Sequence, residues 1–261
     1  VEREKADDLL DLVIKMGIML IQSGAETYRV EQTLYYVLKA FDATDISAYV
    51  AGTLLIVSFK PAKSARVLTS SWRVKNKGNN LEKVRSLNNL SYKLSQHNLT
   101  LEDFAKELDA IDQVKPYPLS LFIFGGAMIA FGFALMFNRP FNEGCLIALM
   151  SVPVMLLYRF LSKQINDFFI NSVCSALGTI LVIMGLRHGY LHNFAYSLAS
   201  VLMALMPGAL FTNGLRDLTM GDLTAGSNKL TETFLVGVAL ALGAVFMLLI
   251  FNMRAYFIGA N

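Results

Sequence analysis

Residues 119–137 read LSLFIFGGAMIAFGFALMF, without a single charged side chain. At 1.5 Å rise per residue, a helix of this length is close to the roughly 30 Å thickness of a bilayer's hydrocarbon core. Four further apolar runs follow, at 144–158, 168–186, 190–211 and 233–251. The second is short, and reaches spanning length by starting at Phe141 or borrowing Leu161. Before Pro116 the chemistry is different. The first 115 residues hold 31 charged side chains, and the following 146 hold 12. Whole-chain values of 54% hydrophobic, 16% charged and a mean hydropathy of +0.48 therefore describe neither half. The expected architecture is an α-helical multi-pass membrane protein with about five transmembrane helices and an N-terminal cytoplasmic α+β domain. The domains are then 1–115 (cytoplasmic) and 116–261 (transmembrane).

Composition excludes a disordered chain, a collagen-like chain and a disulfide scaffold. The net charge of +3 is spread over both halves, so no basic half points to nucleic acid. Cys145 and Cys174 lie in apolar runs with no second Cys at ligand spacing, and read as small hydrophobes. The opening VEREKADDLL has no apolar core of a signal peptide.

Within the first half, apolar residues recur at helical spacing over 3–22, with acids early, and Ser23-Gly24 ends that helix. A second helix is expected over 25–41. Residues 46–60 are rich in β-branched side chains and read as one or two strands, and 65–74 as another. Helices over 81–96 and after Thr100 complete the domain, the latter with Asp103 at the capping-box position. Orientation follows from Lys and Arg in short connections. Arg159, Lys163, Arg216 and Lys229 lie on one side, against Arg139, Arg187 and Arg254 on the other. The N-terminus is thus expected in the cytoplasm and the C-terminus outside a cell (inner or plasma) membrane.

Small residues four apart predict close helix approach: Gly126/Ala130/Ala134, Ser200/Ala204/Gly208 and Gly237/Ala241. In the third span Asp167, Asn171, Ser175 and Thr179 stack on one face, as a partner helix or a wet cavity requires. His188 and His192 are four apart without a third ligand, so they read as interfacial rather than metal-binding. The stretch 206–229, MPGALFTNGLRDLTMGDLTAGSNK, is the most unusual. Pro207 and Gly208 interrupt an apolar helix, and Asn213, Arg216, Asp217 and Asp222 follow among further glycines. Broken helices at membrane depth expose backbone groups to protein or water and suit small charged solutes. A plain loop, with Asp222 and Ser227 capping helices, accounts for the same residues.

No phosphate-binding G-x-x-x-x-G-K-[ST] loop, H-E-x-x-H, G-x-S-x-G or C-x-x-C occurs, so neither ATP nor any other cofactor is expected. In the first half, Gly24-Ala25-Glu26-Thr27-Tyr28-Arg29-Val30-Glu31 places Glu26 and Arg29 three apart on a helix, where they can pair. Spacing alone reads this as a joint between two helices.

These two stretches carry a resemblance. Residues 24–31 resemble the G-A-E-T-x-R-V-E hallmark of the threonine/serine exporter family. Pro207-Gly208, Asn213, Arg216-Asp217, Gly221-Asp222 and Gly226 are similar to its second motif, P-G-x-x-x-x-N-x-x-R-D-x-x-x-G-D-x-x-x-G. Lys229 stands where the resemblance would put an arginine. Members of the family are either long chains with ten spans or split pairs, and this chain looks like the larger, soluble-domain-bearing subunit of a split pair. The resemblance implies export of small polar metabolites, threonine and serine being the named substrates and succinate being associated with a split bacterial pair. It also implies a smaller membrane subunit as partner, beside membrane lipids.

The expected transport path combines Asn171, Ser175, Pro207, Gly208, Asn213, Arg216, Asp217, Gly221, Asp222 and Gly226. Arg216 would meet a carboxylate, Asp217 or Asp222 an ammonium or a coupling proton, and Asn171 a hydroxyl or carboxylate. The cytoplasmic motif is Gly24, Ala25, Glu26, Thr27, Arg29 and Glu31; the cytoplasmic domain would gate entry, with the Glu26/Arg29/Glu31 joint close to the loop 212–230. The rivals are a dicarboxylate exporter, which would want more cations, and a membrane-tethered enzyme or scaffold. The enzyme reading has little to work with, since His97 is the one His of the first 115 residues and no Cys is there.

Overall fold

The computed structural model describes residues 2–62, 66–74, 78, 80–96, 99–114, 117–162 and 164–251. His97, Pro116, Lys163 and Arg254, which the sequence reading used, lie outside the described residues. The chain divides into two compact units. The first is Val1–Lys115 with Ala209–Leu230, and the second is Pro116–Gly208 with Thr231–Asn261. The segment 209–230, read from sequence as part of the membrane half, thus belongs to the first unit.

That unit begins with helices α1 (Glu2–Gln22) and α2 (Thr27–Ala40). An antiparallel sheet follows, with strands β1 (Thr44–Ala51), β2 (Leu54–Lys60) and β3 (Leu68–Arg73) in the order β1-β2-β3. Leu55, Val57 and Phe59 of central β2 alternate inward. They meet Val13, Met16 and Leu20 of α1 and Leu34, Val37 and Leu38 of α2 in one apolar core. Helices α3 (Leu81–Gln96) and α4 (Leu101–Asp112) add Leu87, Leu90, Phe104 and Leu108 to it. Thr100 and Asp103 form the expected capping box on α4. The unit is completed by α9 (Gly208–Thr219) and the start of α10 (Leu223–Ile250).

The second unit holds α5 (Leu119–Met136), α6 (Phe141–Leu161), α7 (Asp167–Arg187), α8 (Phe194–Leu202) and the rest of α10. Among the described residues, four helices (α5, α6, α7 and α10) are long and apolar enough to cross a membrane. The count is five if the bent pair Phe194–Leu205 and Gly208–Thr219 is one span. The interruption expected at Pro207 and Gly208 is present, with a bend of 72° between the two pieces. Met206 is extended before Pro207, because the proline ring disfavours a helical residue ahead of it. The short second run becomes a full 21-residue helix that tolerates Pro153. Helix α10 starts ten residues earlier than the apolar run it contains.

Gly126, Ala130 and Ala134 are the buried face of α5, and a Cβ on Gly126 would lie 2.7 Å from Met155 Cγ of α6. The other two expected ladders pack only in part: Ser200 is buried and Ala204 lies against the core of the unit. The fourth span breaks before Gly208, which has open space around it, and Gly237 faces open space too. The buried face of α10 in this unit is instead Ala239, Leu240, Gly243, Ala244 and Leu248. A Cβ on Gly243 would overlap the Ser172 carbonyl oxygen of α7.

Candidate functional site

The two motifs, about 180 residues apart in sequence, meet inside the first unit. Each is built on the same local device. Gly24 has φ +80° and follows α1; its N–H bonds Ile21 O, and the Ala25 N–H reaches back to Leu20 O. Gly221 has φ +91° and follows α9; its N–H bonds Leu218 O, and the Asp222 N–H reaches back to Asp217 O. Both are helix ends closed by a left-handed residue, which glycine adopts without steric penalty. Asp222 then accepts the Ala225 N–H at 3.0 Å and caps α10, the role the plain-loop reading gave it. The result is two helix–glycine–helix joints, α1–α2 and α9–α10.

Helix α9 lies close against the first turns of α10 because both carry glycine at the contact. A Cβ on Gly226 would come within 2.6 Å of Leu218 Cγ and 2.9 Å of Gly214 O. One on Gly214 would lie 3.1 Å from Lys229 Cβ. Asp217 and Lys229 face each other across this hairpin, with Nζ 2.6 Å from Oδ2. The Thr27 hydroxyl, at the start of α2, donates to the same oxygen at 3.0 Å and accepts from Lys229 Nζ at 3.2 Å. Asp217 is 1% exposed, and its other oxygen, Oδ1, is buried with no hydrogen-bond partner among the described residues.

A second knot of charge lies beside the first. Glu26 is the N-cap residue of α2, yet its carboxylate makes no capping bond. It pairs instead with Arg216 Nη1 of α9 at 2.5 Å and with Arg29 Nε at 3.2 Å. Burial alone would raise the Glu26 pKa. Hydrogen bonds from Tyr28 and Arg216, with the charges of Arg29 and Arg216, outweigh burial and hold the carboxyl below its ordinary value. The Arg216 guanidinium also lies over the Tyr28 ring, 5.4 Å from its centroid. Asn213 Nδ2 donates to Gly24 O at 3.3 Å. Glu31 accepts the Val50 N–H at 2.9 Å, tying α2 to β1. Its pKa is raised, first by burial and then by the Asp222 and Asp217 carboxylates, although the Val50 bond opposes the shift.

Of the expected path residues, Asn213, Arg216, Asp217, Gly221, Asp222 and Gly226 gather here with the cytoplasmic motif. Asn171, Ser175, Pro207 and Gly208 belong to the second unit. There the Ser175 hydroxyl donates to Leu240 O of α10 at 2.6 Å and Ser172 to Ala239 O at 3.0 Å, so this face of the stripe packs helices. Asn171 Nδ2 bonds Asp167 O, while its buried Oδ1 has no partner among the described residues. Pro207 is half-buried and Gly208 exposed, at the break after α8. Sequence reasoning left out Lys229, Tyr28 and Gly214. A lysine twelve positions after an aspartate, across a glycine turn, is a signal for a hairpin ion pair that could have found the first.

Apolar helices of spanning length, joined to a unit whose charged motifs pair internally, define a multi-pass membrane protein. Residues 11–251 match the family model described as "Putative threonine/serine exporter". The chain belongs to the threonine/serine exporter family. It is 21% identical over 241 residues to a "Probable threonine/serine exporter" of Mycobacterium tuberculosis, covering 92% of this chain and 46% of that protein. It thus spans about half the length of that relative. It is 20% identical over 247 residues to the "Probable succinate transporter subunit YjjP" of Escherichia coli, covering 94% of this chain and 95% of the relative. The protein of the same description from Klebsiella aerogenes is 21% identical over 252 residues, at 94% and 95% coverage. No solved structure matches the chain significantly.

Proposed function

We propose that the chain is a subunit of a secondary exporter that moves small polar metabolites, threonine and serine first, out across the cytoplasmic membrane. Its partner is a smaller membrane subunit of the same family. The N-terminal 115 residues stand in the cytoplasm and the C-terminus outside. One observation carries the substrate reading. The motif cluster holds a carboxylate (Glu26) between two guanidinium groups, and an ammonium (Lys229) and a hydroxyl (Thr27) on one carboxylate (Asp217). Carboxylate, ammonium and hydroxyl are the polar groups of threonine and serine. The cluster is occupied by its own side chains in a resting arrangement, and the solute exchanges with them. Its carboxylate goes to Arg216 and Arg29, and its ammonium to the open Oδ1 of Asp217. Charge-assisted bonds of this kind are about twice as strong as neutral ones, so exchange trades like for like.

A second reading, dicarboxylate export, draws support from the same cluster. Arg29, Arg216 and Lys229 supply three cations in one place, more than the sequence led us to expect, and two of the relatives are described as succinate transporter subunits. Reconstituting the chain with its partner in liposomes and following labelled threonine decides between the readings. Competition by unlabelled serine but not succinate supports the amino-acid reading. Competition by succinate alone overturns it, and absence of any flux despite correct insertion favours a scaffold.

A further inference from the structure

The membrane unit contains a carboxyl–imidazole pair that the motif cluster does not use. Glu143, in the first turn of α6, is 1% exposed. Its Oε1 lies 2.6 Å from His192 Nδ1, in the connection between α7 and α8. The imidazole is 70% exposed, so the pair runs from the surface of the chain to the buried carboxyl group. The other oxygen, Oε2, is buried with no hydrogen-bond partner among the described residues. A buried carboxyl group with one unpartnered oxygen and an imidazole on the other has the geometry to hold and hand on a proton. Next to Glu143, Gly144 lies against Phe131 and Leu135 of α5.

The other titratable groups at this end are engaged elsewhere. Arg139, between α5 and α6, donates to Phe137 O and lies over the Tyr196 ring of α8. Arg187, at the end of α7, lies over Phe251, and His188 stacks against Tyr190. Among the described residues, none of them is paired with Glu143. Among the described residues, His192 is therefore the one titratable contact of the carboxyl group.

We propose that Glu143 and His192 form a proton-binding site of the membrane unit, with His192 as the relay between water and the buried carboxyl. A proton from water is taken up at the imidazole Nε2. The proton on Nδ1 passes to Glu143, leaving a neutral carboxylic acid and a neutral ring, and the reverse path returns it. One proton is bound and none is created, and no other reactant is needed. The site does not depend on which solute is carried, nor on the motif cluster of the first unit.

The test uses the full chain in lipid nanodiscs, moved between about pH 5 and about pH 8, the range in which histidine responds. Infrared difference spectroscopy reads the carbonyl stretch of a buried carboxylic acid, and an indicator dye counts the protons. Wild type is expected to show the band, and Glu143→Gln to lose it and to take up one proton fewer per chain. His192→Gln, which leaves the carboxyl intact, is expected to keep the band but to slow its appearance at least tenfold. An unchanged band and proton count in folded Glu143→Gln would overturn the site, and unchanged kinetics in His192→Gln would overturn the relay. If Glu143→Gln fails to insert, the carbonyl band of wild type on isotope-labelled glutamate, present or absent, decides the same question. Loss of solute transport with the band intact would fault the exporter reading and not this one.

Discussion

Replacing Lys229 by methionine keeps most of the side-chain volume and removes the one ammonium that neutralises Asp217. At 2.6 Å and an effective dielectric of about 20, the pair's gross attraction is about 6 kcal/mol. The net cost of breaking it is set by what remains. Asp217 stays 1% exposed, and among the described residues one oxygen is already without a hydrogen-bond partner and the Thr27 hydroxyl is what remains on the other. Leaving one member of a buried pair uncompensated costs about 3–5 kcal/mol. The Lys229 side chain is 14% exposed, which puts the expectation at the lower end, about 3 kcal/mol. Adding Asp217→Asn removes the stranded charge and recovers most of the loss, so the double-mutant cycle shows a coupling of about 2 kcal/mol or more. A two-unit chain is a poor subject for a single melting curve, so native-state hydrogen exchange is the suitable assay. Amides of α9 and the Val50 N–H report on the first unit, and α5 serves as internal reference. A loss below about 1 kcal/mol in Lys229→Met, or a double variant as unstable as the sum of the singles, would refute this account of the cluster.

Three further outcomes follow from the same geometry. Glu26 has a lowered pKa, so its stabilisation is present above the ordinary carboxyl value of 4.5 and is lost as pH falls through the lower folded value. Glu26→Gln should cost about 1 kcal/mol near neutral pH by hydrogen exchange, because Arg216 is half-exposed, and the difference from wild type should vanish in acid. Glu31 has the opposite sign: its raised pKa means that ionising it weakens the fold as pH rises past 4.5. Glu31→Gln, which still accepts the Val50 N–H, should therefore stabilise the first unit at neutral pH and make no difference below pH 4.5; a loss at neutral pH would contradict the sign. In the second unit, Gly243→Ala should destabilise by about 1–3 kcal/mol through overlap with the Ser172 carbonyl, while Gly237→Ala, facing open space, should be neutral. Thermal stability of the two variants in detergent, side by side, checks the contrast.

Much of the fold was legible because hydrophobic period and helix-end chemistry are local. The runs around 119–137 and 168–186, the α5 ladder, the strand pattern of β2 and the Thr100 capping box needed only neighbours in sequence. Gly24 was readable as a helix end for the same reason. The path of residues 209–230 was legible only in its nearness to the 24–31 motif, not in its course as a helical hairpin of the first unit. Leu210, Phe211 and Leu215 are apolar enough to extend a membrane run, and only the tertiary pairing of Asp217 with Thr27, and of Arg216 with Glu26, places them in the first unit. Arg216 was expected to await a solute and is instead paired with a motif glutamate; nothing in the spacing of either motif records that long-range choice. Ser175 illustrates the converse. A polar stripe at helical spacing looks the same whether it lines a wet path or bonds a neighbouring backbone, and Leu240 O decides for the second. Glu143 and His192 were missed because they lie about 50 residues apart and form no motif.

The central claim is that the paired motifs form the exporter's solute site. It is tested most directly by the release of labelled threonine, serine and succinate from loaded cells. Cells lacking this gene are compared with cells carrying wild type, Arg216→Ala or Asp217→Asn, each with the unaltered partner and at equal membrane abundance. The account predicts that threonine and serine release slows without the gene, returns with wild type, and stays at least tenfold slower in both variants. Release of all three solutes at the wild-type rate in both variants would contradict it.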